Sequence, residues 1–306
     1  MSLDADLLNQ LVPLRIKAAQ WVDSIPAGIH PSRRSGQSMD LSDLRSYQSG
    51  DELRHIDWRA SGKRDHFYVR RFSGEQQLQV CLLVDASASM TFKYRETWSK
   101  ERVAVHLAAI LARLFFSQGD AVGLVLYDEE IMDQILPLRT PAHEDLFFER
   151  LDRQLDPRSA STQTASLPQL VQQVGGSMPR VDHWIVLSDL LNEDPASGEF
   201  LQFVRSLQVM NREVTFFQVL ERASEEEFRF DEEEILFEDL ETGEWLDAGE
   251  SHWREESRYQ ARIRQEHWKS TMQKLGAGWV EVDTASPLLN PLYQWAALRR
   301  ARRGAG

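Results

Sequence analysis

From Leu78 onward, the hydrophobic positions alternate between short continuous apolar runs and longer stretches with helical spacing. Apolar runs bounded by turn residues predict buried strands, whereas apolar residues at every third or fourth position predict amphipathic helices. Residues 99–117, SKERVAVHLAAILARLFFS, carry one such stripe, and the following QGD ends the helix. This alternation predicts an open sheet covered on both faces. The predicted buried strands are LQVCLLVD, AVGLVLYD, HWIVLSDL, EVTFFQVLE and GWVEVDT.

One further strand is predicted to run against the others. Only Glu129 and Glu130 separate IMDQILPL from the strand before it, and a connection this short joins antiparallel neighbours. IMDQILPL is therefore predicted to be an antiparallel edge strand. The whole pattern predicts an α/β domain over residues 77–306, with a three-layer, doubly wound, mainly parallel sheet of the Rossmann-like kind.

The residues before this domain follow a different pattern. Apolar positions over residues 6–22 predict a helix interrupted near Pro13. Residues 32–71 hold nine Lys and Arg against six acids, in short segments such as HFYVRRF that predict strands or loops. We expect residues 1–76 to form an N-terminal helix and extension packed on the main domain.

The charge of the chain is negative and unevenly distributed. The formal net charge of the 306 residues is −13, which argues against nucleic acid as a partner and favours proteins or cations. Residues 221–247 alone hold thirteen acids and two arginines. Aromatic and aliphatic residues are interleaved with these acids, so we predict an ordered, acidic, strand-rich insertion at about 221–250.

The cysteine count and the absence of long apolar stretches indicate the cellular compartment in which we expect the protein. Cys81 is the only cysteine and lies inside an apolar run, which excludes an internal disulfide and a cysteine metal cluster. The first residues lack the pattern of a signal peptide, and no 18-residue apolar window occurs. We therefore expect a cytoplasmic protein without a transmembrane segment. The four arginines of LRRARRGAG offer peripheral contact with acidic lipid as an alternative to a solvated helix end, and we favour the solvated end.

Polar side chains stand where two predicted central strands end. Asp85 ends LQVCLLVD, Asp189 ends HWIVLSD, and Ser87 and Ser89 follow Asp85 at alternate positions. Ligands of doubly wound sheets bind at the carboxyl ends of the strands, where two carboxylates repel unless a cation lies between them. This all-oxygen set fits Mg²⁺, or Mn²⁺ or Ca²⁺. The alternative is that Asp85 and the serines only cap the turn and helix that follow.

The motif DASAS resembles the Asp-x-Ser-x-Ser of the metal-ion-dependent adhesion site in von Willebrand factor A domains, and LSDL resembles the strand end that supplies its distant Asp. The resemblance implies a threonine ligand, for which Thr164 in STQTASLPQLV is the best match and Thr162 the weaker one. It also implies that the two serines ligate directly, while Thr164 and Asp189 ligate directly or through water.

A narrower resemblance covers most of the chain. LRSYQSGDELRHIDWRASGKRDHFYVRRF, GDAVGLVLYD, FEDLETGEW and a late VDT are similar to the bacterial MoxR-associated subfamily of these domains, long catalogued as a domain of unknown function. The resemblance implies a non-enzymatic, cytoplasmic partner of a MoxR-type AAA+ ATPase, acting in chaperone-like maturation or assembly of client proteins that offer a carboxylate. The chain has no G-x-x-x-x-G-K-[ST] loop, so nucleotide-driven work must come from another subunit.

Two other functions remain open at this point. A metal-dependent phosphoester hydrolase would use Asp85, Asp189 and the tract from His55 to His66, together with a general base and a phosphate clamp. A structural scaffold would carry the same residues as an unused site.

Overall fold

A computed structural model of the chain describes residues 44–46, 68–70, 78–94, 98–128, 130–155, 167–178, 180–191, 193–209, 212–230, 236–238, 245–247 and 253–304. The chain divides into two compact units. One is Pro31–Gln77, and the other contains Leu78–Gly306. In the smaller unit, β1 (Leu44–Ser46) and β2 (Tyr68–Arg70) pair antiparallel. The helix predicted over residues 6–22 lies outside the described residues, and the packing of the extension on the main domain stays a prediction.

The larger unit alternates strands and helices as the hydrophobic pattern predicts. In chain order its elements are β3 (Gln79–Asp85), α1 (Lys100–Ser117), β4 (Ala121–Tyr127), β5 (Ile131–Leu138), α2 (Pro141–Gln154), α3 (Leu167–Ser177), β6 (His183–Ser188), α4 (Gly198–Val209), β7 (Glu213–Leu220), α5 (Arg222–Glu225), β8 (Leu236–Glu238), β9 (Trp245–Asp247), α6 (Trp253–Lys274), β10 (Gly278–Asp283) and α7 (Leu289–Gly304).

Six of these strands form one sheet in the order β10-β7-β6-β3-β4-β5. Neighbouring strands are parallel except for β4 and β5, which pair antiparallel. The prediction of an α/β fold with a mainly parallel sheet is therefore confirmed. IMDQILPL is β5, and it is the antiparallel edge strand that the short connection predicted.

Successive side chains of β3 enter two separate hydrophobic cores. Val80, Leu82 and Val84 belong to one core, together with buried residues of α1, α2 and α7. Cys81 and Leu83 belong to the other, with buried residues of α3, α4 and α6. Because neighbouring residues of a strand point to opposite faces, helices cover both faces of the sheet. The fully apolar run VCLLV, residues 80–84, follows from this burial on both sides.

The order of the strands reverses between β3 and β6. From β3 the chain continues to β4 and β5 on one side, and it then crosses to β6, β7 and β10 on the other side. The two strands are parallel neighbours, with Val84 beside Leu187. Loops that leave such a pair of strands turn away from each other and open a crevice at the carboxyl ends. Asp85 and Asp189 lie at this position.

The acidic insertion is described only in part. It begins directly after β7 with the short helix α5, and its strands β8 and β9 pair antiparallel, with Leu236 opposite Asp247. The structure describes residues 226–230 after α5, whereas residues 231–235 and 239–244 lie outside the described ranges. Among the helices that the structure describes, none is long and apolar enough to cross a membrane.

Candidate cation site

The turn that follows β3 brings three of the predicted ligands together. Asp85 is the last residue of the strand, and its Oδ1 accepts a hydrogen bond from the backbone N–H of Ser87 at 3.0 Å. Ser87 precedes a single 3-10 turn, Ala88–Thr91, and its side chain does not cap that turn. Instead, the Oγ atoms of Ser87 and Ser89 lie 3.2 Å apart. Capping of the turn therefore explains part of the hydrogen bonding of Asp85, but it does not explain the position of the Ser87 side chain.

The loop that follows β6 supplies the second carboxylate. Asp189 is the first residue after the strand, and its Oδ1 accepts a hydrogen bond from the backbone N–H of Leu191 at 3.1 Å. Its neighbour Ser188 donates its hydroxyl to Asp85 Oδ2 at 2.5 Å and accepts from the backbone N–H of Leu190 at 2.9 Å. Ser188 thus joins the ends of β3 and β6, a role that the sequence did not predict.

The four predicted ligands that lie within the described residues are all buried. Asp85, Ser87, Ser89 and Asp189 have exposed fractions of 3%, 1%, 6% and 2%. Thr164 and the alternative Thr162 lie outside the described residues, as does the tract from His55 to His66. The threonine ligand and the histidine-containing hydrolase site therefore stay predictions.

The electrostatics of the site favour a cation. Burial, followed by the negative charge of Asp189, raises the pKa of Asp85 from 3.8 to about 7, although hydrogen bonds from Ser188 and Ser87 act in the opposite direction. Two carboxylates this deeply buried are costly to ionise together. A positive charge between them would remove most of that cost.

The donor atoms also fit a hard divalent ion in kind and spacing. Ligands at right angles and ~2.1 Å from Mg²⁺ lie about 3 Å apart, and the larger Ca²⁺ places them further apart. The separation of 3.2 Å between the hydroxyl oxygens of Ser87 and Ser89 is close to this range. Within the described ranges, no group of three or more His, Cys, Asp or Glu could hold a metal. A cation at Asp85 would therefore need the serine hydroxyls.

A buried lysine beside Asp189 is part of the site and was not predicted. Lys100, the first residue of α1, donates from Nζ to Asp189 Oδ2 at 2.7 Å and to Glu225 Oε1 at 2.6 Å. Burial opposes the charge of Lys100, but the two carboxylates outweigh it and raise its pKa above the ordinary value. At the start of a helix, a lysine carries no sequence signal that distinguishes a buried ion pair from a solvated side chain.

A second unpredicted residue holds the loop that carries Asp189. Arg264 on α6 donates from Nη2 to the carbonyl oxygens of Leu190 at 2.8 Å and Leu191 at 2.6 Å. Leu190 has a φ of 57°, in the left-handed region that costs a branched residue energy. The contacts of Arg264 stabilise this backbone, so Asp189 occupies a loop with a defined conformation.

The raised pKa of Asp85 predicts how pH affects the stability of metal-free protein. The folded state holds the proton up to a pH of about 7, whereas the unfolded carboxyl releases it near 3.8. The contribution of Asp85 to the free energy of unfolding is therefore largest at acidic pH and falls as the pH rises to about 7. Urea unfolding in chelator at pH 5 to 8 should show this fall in wild type relative to Asp85→Asn, which cannot titrate. A difference between the two proteins that does not change with pH would contradict the prediction.

The fold and the site together define an α/β protein with an all-oxygen candidate cation site at the reversal of its strand order. Residues 43–269 match the family described as "Protein of unknown function DUF58", and the chain belongs to this family. Uncharacterized proteins of Mycobacterium bovis and Mycobacterium tuberculosis are 29% identical to it over 137 residues, which is 45% of this chain and 43% of theirs. The chain thus spans less than half the length of these curated relatives.

Two solved structures from Bacteroides species are also similar to the chain. The conserved hypothetical protein BatB from Bacteroides thetaiotaomicron has 15% sequence identity and a TM-score of 0.46, with 74% of this chain and 98% of that chain covered. An aerotolerance-related membrane protein from Bacteroides fragilis has 16% identity and a TM-score of 0.43, with 74% and 99% covered.

Proposed function

We propose that this chain is a non-enzymatic protein-binding domain of the von Willebrand factor A type, in the MoxR-associated subfamily. It binds a divalent cation through Asp85, Ser87, Ser89 and Asp189, with Thr164 as a further ligand. It acts with a MoxR-type AAA+ ATPase in the chaperone-like maturation or assembly of other proteins. The observation that carries this proposal is the meeting of two buried carboxylates and two hydroxyls at the carboxyl ends of adjacent strands.

The order of the strands supports the assignment of the fold. The first strand of the larger unit lies in the centre of the sheet, its second and third strands lie to one side, and the later strands lie to the other. This arrangement places the motif DASAS at the point where ligands of open α/β sheets bind. Because a fold alone does not define a function, the proposed chemistry rests on the oxygen ligands of that motif and on its resemblance to the adhesion site.

The small number of protein ligands supports a role in binding rather than in catalysis. A hard cation held by one or two carboxylates and hydroxyls keeps coordinated water, and a carboxylate of a partner can replace one such water. Asp85 and Ser89 are buried, so a partner reaches the cation only after the surrounding chain moves. A client protein that offers Asp or Glu would then complete the coordination of the cation.

One observation favours the scaffold alternative. Lys100 already neutralises Asp189 through an ion pair of 2.7 Å, in which the side chains are 1% and 2% exposed. A site in which a lysine balances the charge permanently would need no metal. Binding measurements therefore have to come before any assay of the partner.

The proposal is tested first by calorimetric titration of Mg²⁺, Mn²⁺ and Ca²⁺ into metal-free protein. We expect wild type to bind at least one of these cations, and we expect Ser87→Ala/Ser89→Ala to bind it about 10- to 100-fold more weakly, because both neutral ligands are lost. Ser206→Ala is a matched control, since its hydroxyl donates to the carbonyl of Phe203 in α4. Equal affinity in the double variant and in wild type would place any bound cation elsewhere.

The partnership needs a separate experiment with the ATPase. Wild-type protein should retain a MoxR-type ATPase from the same genome when the binding cation is present, and it should lose the ATPase in chelator. The serine double variant should fail to retain the ATPase both with the cation and in chelator. If both proteins retain the ATPase equally, with the cation and in chelator, the result would support the scaffold. Cation-dependent turnover of a phosphoester would support the hydrolase.

A further inference from the structure

Lys100 is a charged residue held inside the protein by two carboxylates. Its side chain is 1% exposed, and its ammonium lies 2.7 Å from Asp189 Oδ2 and 2.6 Å from Glu225 Oε1. The ring of Phe92 covers it, with the centroid 5.7 Å from Nζ. An ammonium buried this deeply needs at least one carboxylate beside it to be stable.

One of these two carboxylates is also a proposed ligand of the divalent cation. Asp189 directly follows Ser188, whose hydroxyl donates to Asp85 Oδ2 at 2.5 Å, and the charge of Asp189 raises the pKa of Asp85. A divalent ion at Asp85 would therefore attract Asp189 and repel the ammonium of Lys100, because like charges at short range in a buried site interact strongly. The lysine and the divalent cation compete for the same carboxylate.

The second carboxylate connects the lysine to the start of the acidic insertion. Glu225 lies in α5, and its Oε2 accepts a hydrogen bond from the backbone N–H of Glu221 at 2.7 Å. Glu221 in turn accepts from the backbone N–H of Tyr94 at 2.7 Å through its Oε2. If Lys100 lost Asp189, its ammonium would be balanced by Glu225 alone, and Glu225 is in direct contact with the backbone of Glu221.

We propose that Lys100 is an internal counter-cation of the site, which pairs with both Asp189 and Glu225 in the metal-free protein and is left paired with Glu225 alone when a divalent cation binds Asp189. Cation binding is in this way coupled to the conformation at the start of the acidic insertion, residues 221–225. The inference rests on the proposed cation site and describes its regulation.

The charges of the buried groups agree with this exchange. Asp85, Asp189 and Glu225 carry three negative charges when ionised, and Lys100 carries one positive charge. Among these four groups the negative charges outnumber the positive one, so a divalent cation can be added without an excess of positive charge. Glu225 is 18% exposed, more than Asp189, so it is the carboxylate with more room to follow a moving ammonium.

The experiment compares Lys100→Met with wild type in calorimetric titration of Mg²⁺ into metal-free protein. Without the competing ammonium, we expect the affinity for Mg²⁺ to rise at least about tenfold. Lys269→Met is the matched control, because Lys269 also pairs with a glutamate, Glu281, but is 56% exposed. Its affinity should equal that of wild type. Lys100→Gln keeps a donor for both carboxylates and should show the same tightening if Lys100→Met does not fold.

A second measurement separates coupling from a simple change of charge. In amide NMR, saturation of wild type with Mg²⁺ should shift the resonance of Glu221 and change its hydrogen exchange, because Glu225, which accepts from this amide, then balances the ammonium alone. In the Lys100 variants, Mg²⁺ should bind while leaving the Glu221 amide unchanged. A silent Glu221 amide in wild type, or unchanged or weaker affinity in the lysine variants, would overturn the inference.

The outcomes also distinguish this inference from the proposed function. If wild type binds Mg²⁺ and the lysine variants bind no better, the cation site stands and the role of Lys100 fails. If only the lysine variants bind, Lys100 is the counter-cation, and the proposed function of the wild-type chain fails. If none of these proteins binds, both are contradicted.

Discussion

Asp85→Ala is expected to weaken the binding of the divalent cation by more than ~100-fold, since even partners outside the first coordination shell contribute about 10- to 100-fold to metal affinity. Asp85 is the only carboxylate of the DASAS turn, and it lies beside Ser87 and Ser89. In this variant the two hydroxyls remain but have no adjacent negative charge. Calorimetric titration of the cation that wild type binds, into metal-free protein, measures the effect.

Asp133→Ala is the control for this variant. Asp133 is on the edge strand β5, where its carboxylate pairs with Arg150 at 2.8 Å. Its removal also takes one carboxylate from the protein, and we expect the affinity for the cation to stay at the wild-type value. Retained binding in Asp85→Ala would show that the cation binds elsewhere, and it would contradict the proposed site.

Asp189→Ala is expected to lower the free energy of unfolding of metal-free protein by about 3 kcal/mol, because removing one partner leaves a buried charge without compensation. Lys100 would keep only Glu225, which is 18% exposed, as its carboxylate partner among the contacts described above. Urea unfolding of both proteins in chelator measures the difference.

The double variant Asp189→Ala/Lys100→Met tests the reason for that loss. When the ammonium is removed as well, no uncompensated positive charge stays buried, and we expect part of the lost stability to return. Strictly additive losses in the two single variants and the double variant would mean that Lys100 and Asp189 do not stabilise each other. The ion pair of 2.7 Å would then contribute nothing measurable to folding.

The alternation of buried strands and helices was predictable from the sequence because it reflects local periodicity. The run VCLLV, residues 80–84, is apolar at every position since β3 faces a core on each side, and IMDQILPL is separated from β4 by too few residues for a crossover. The grouping of Asp85, Ser87 and Ser89 was predictable for the same reason, because these residues lie within one turn of the chain. Their type and spacing are enough to predict a cation site from the sequence alone.

The remaining parts of the site depend on which strands become neighbours. Ser188 meets Asp85 across 103 positions of the chain, and Lys100 meets Asp189 and Glu225 across 89 and 125. Nothing in the spacing of the sequence distinguishes Lys100 from a solvated lysine, because its burial results from the docking of α1 against the ends of β3 and β6.

The sequence by itself thus determined the class of fold and the edge strand, and it predicted the oxygen ligands of the DASAS turn, because all of these follow from short-range patterns of polarity. Only the tertiary structure decided that Lys100 shares Asp189 with this turn and that Glu225 connects it to the acidic insertion. The physical reason is that hydrophobic periodicity acts over a few residues, whereas the balance of buried charges is set by the three-dimensional order of the strands.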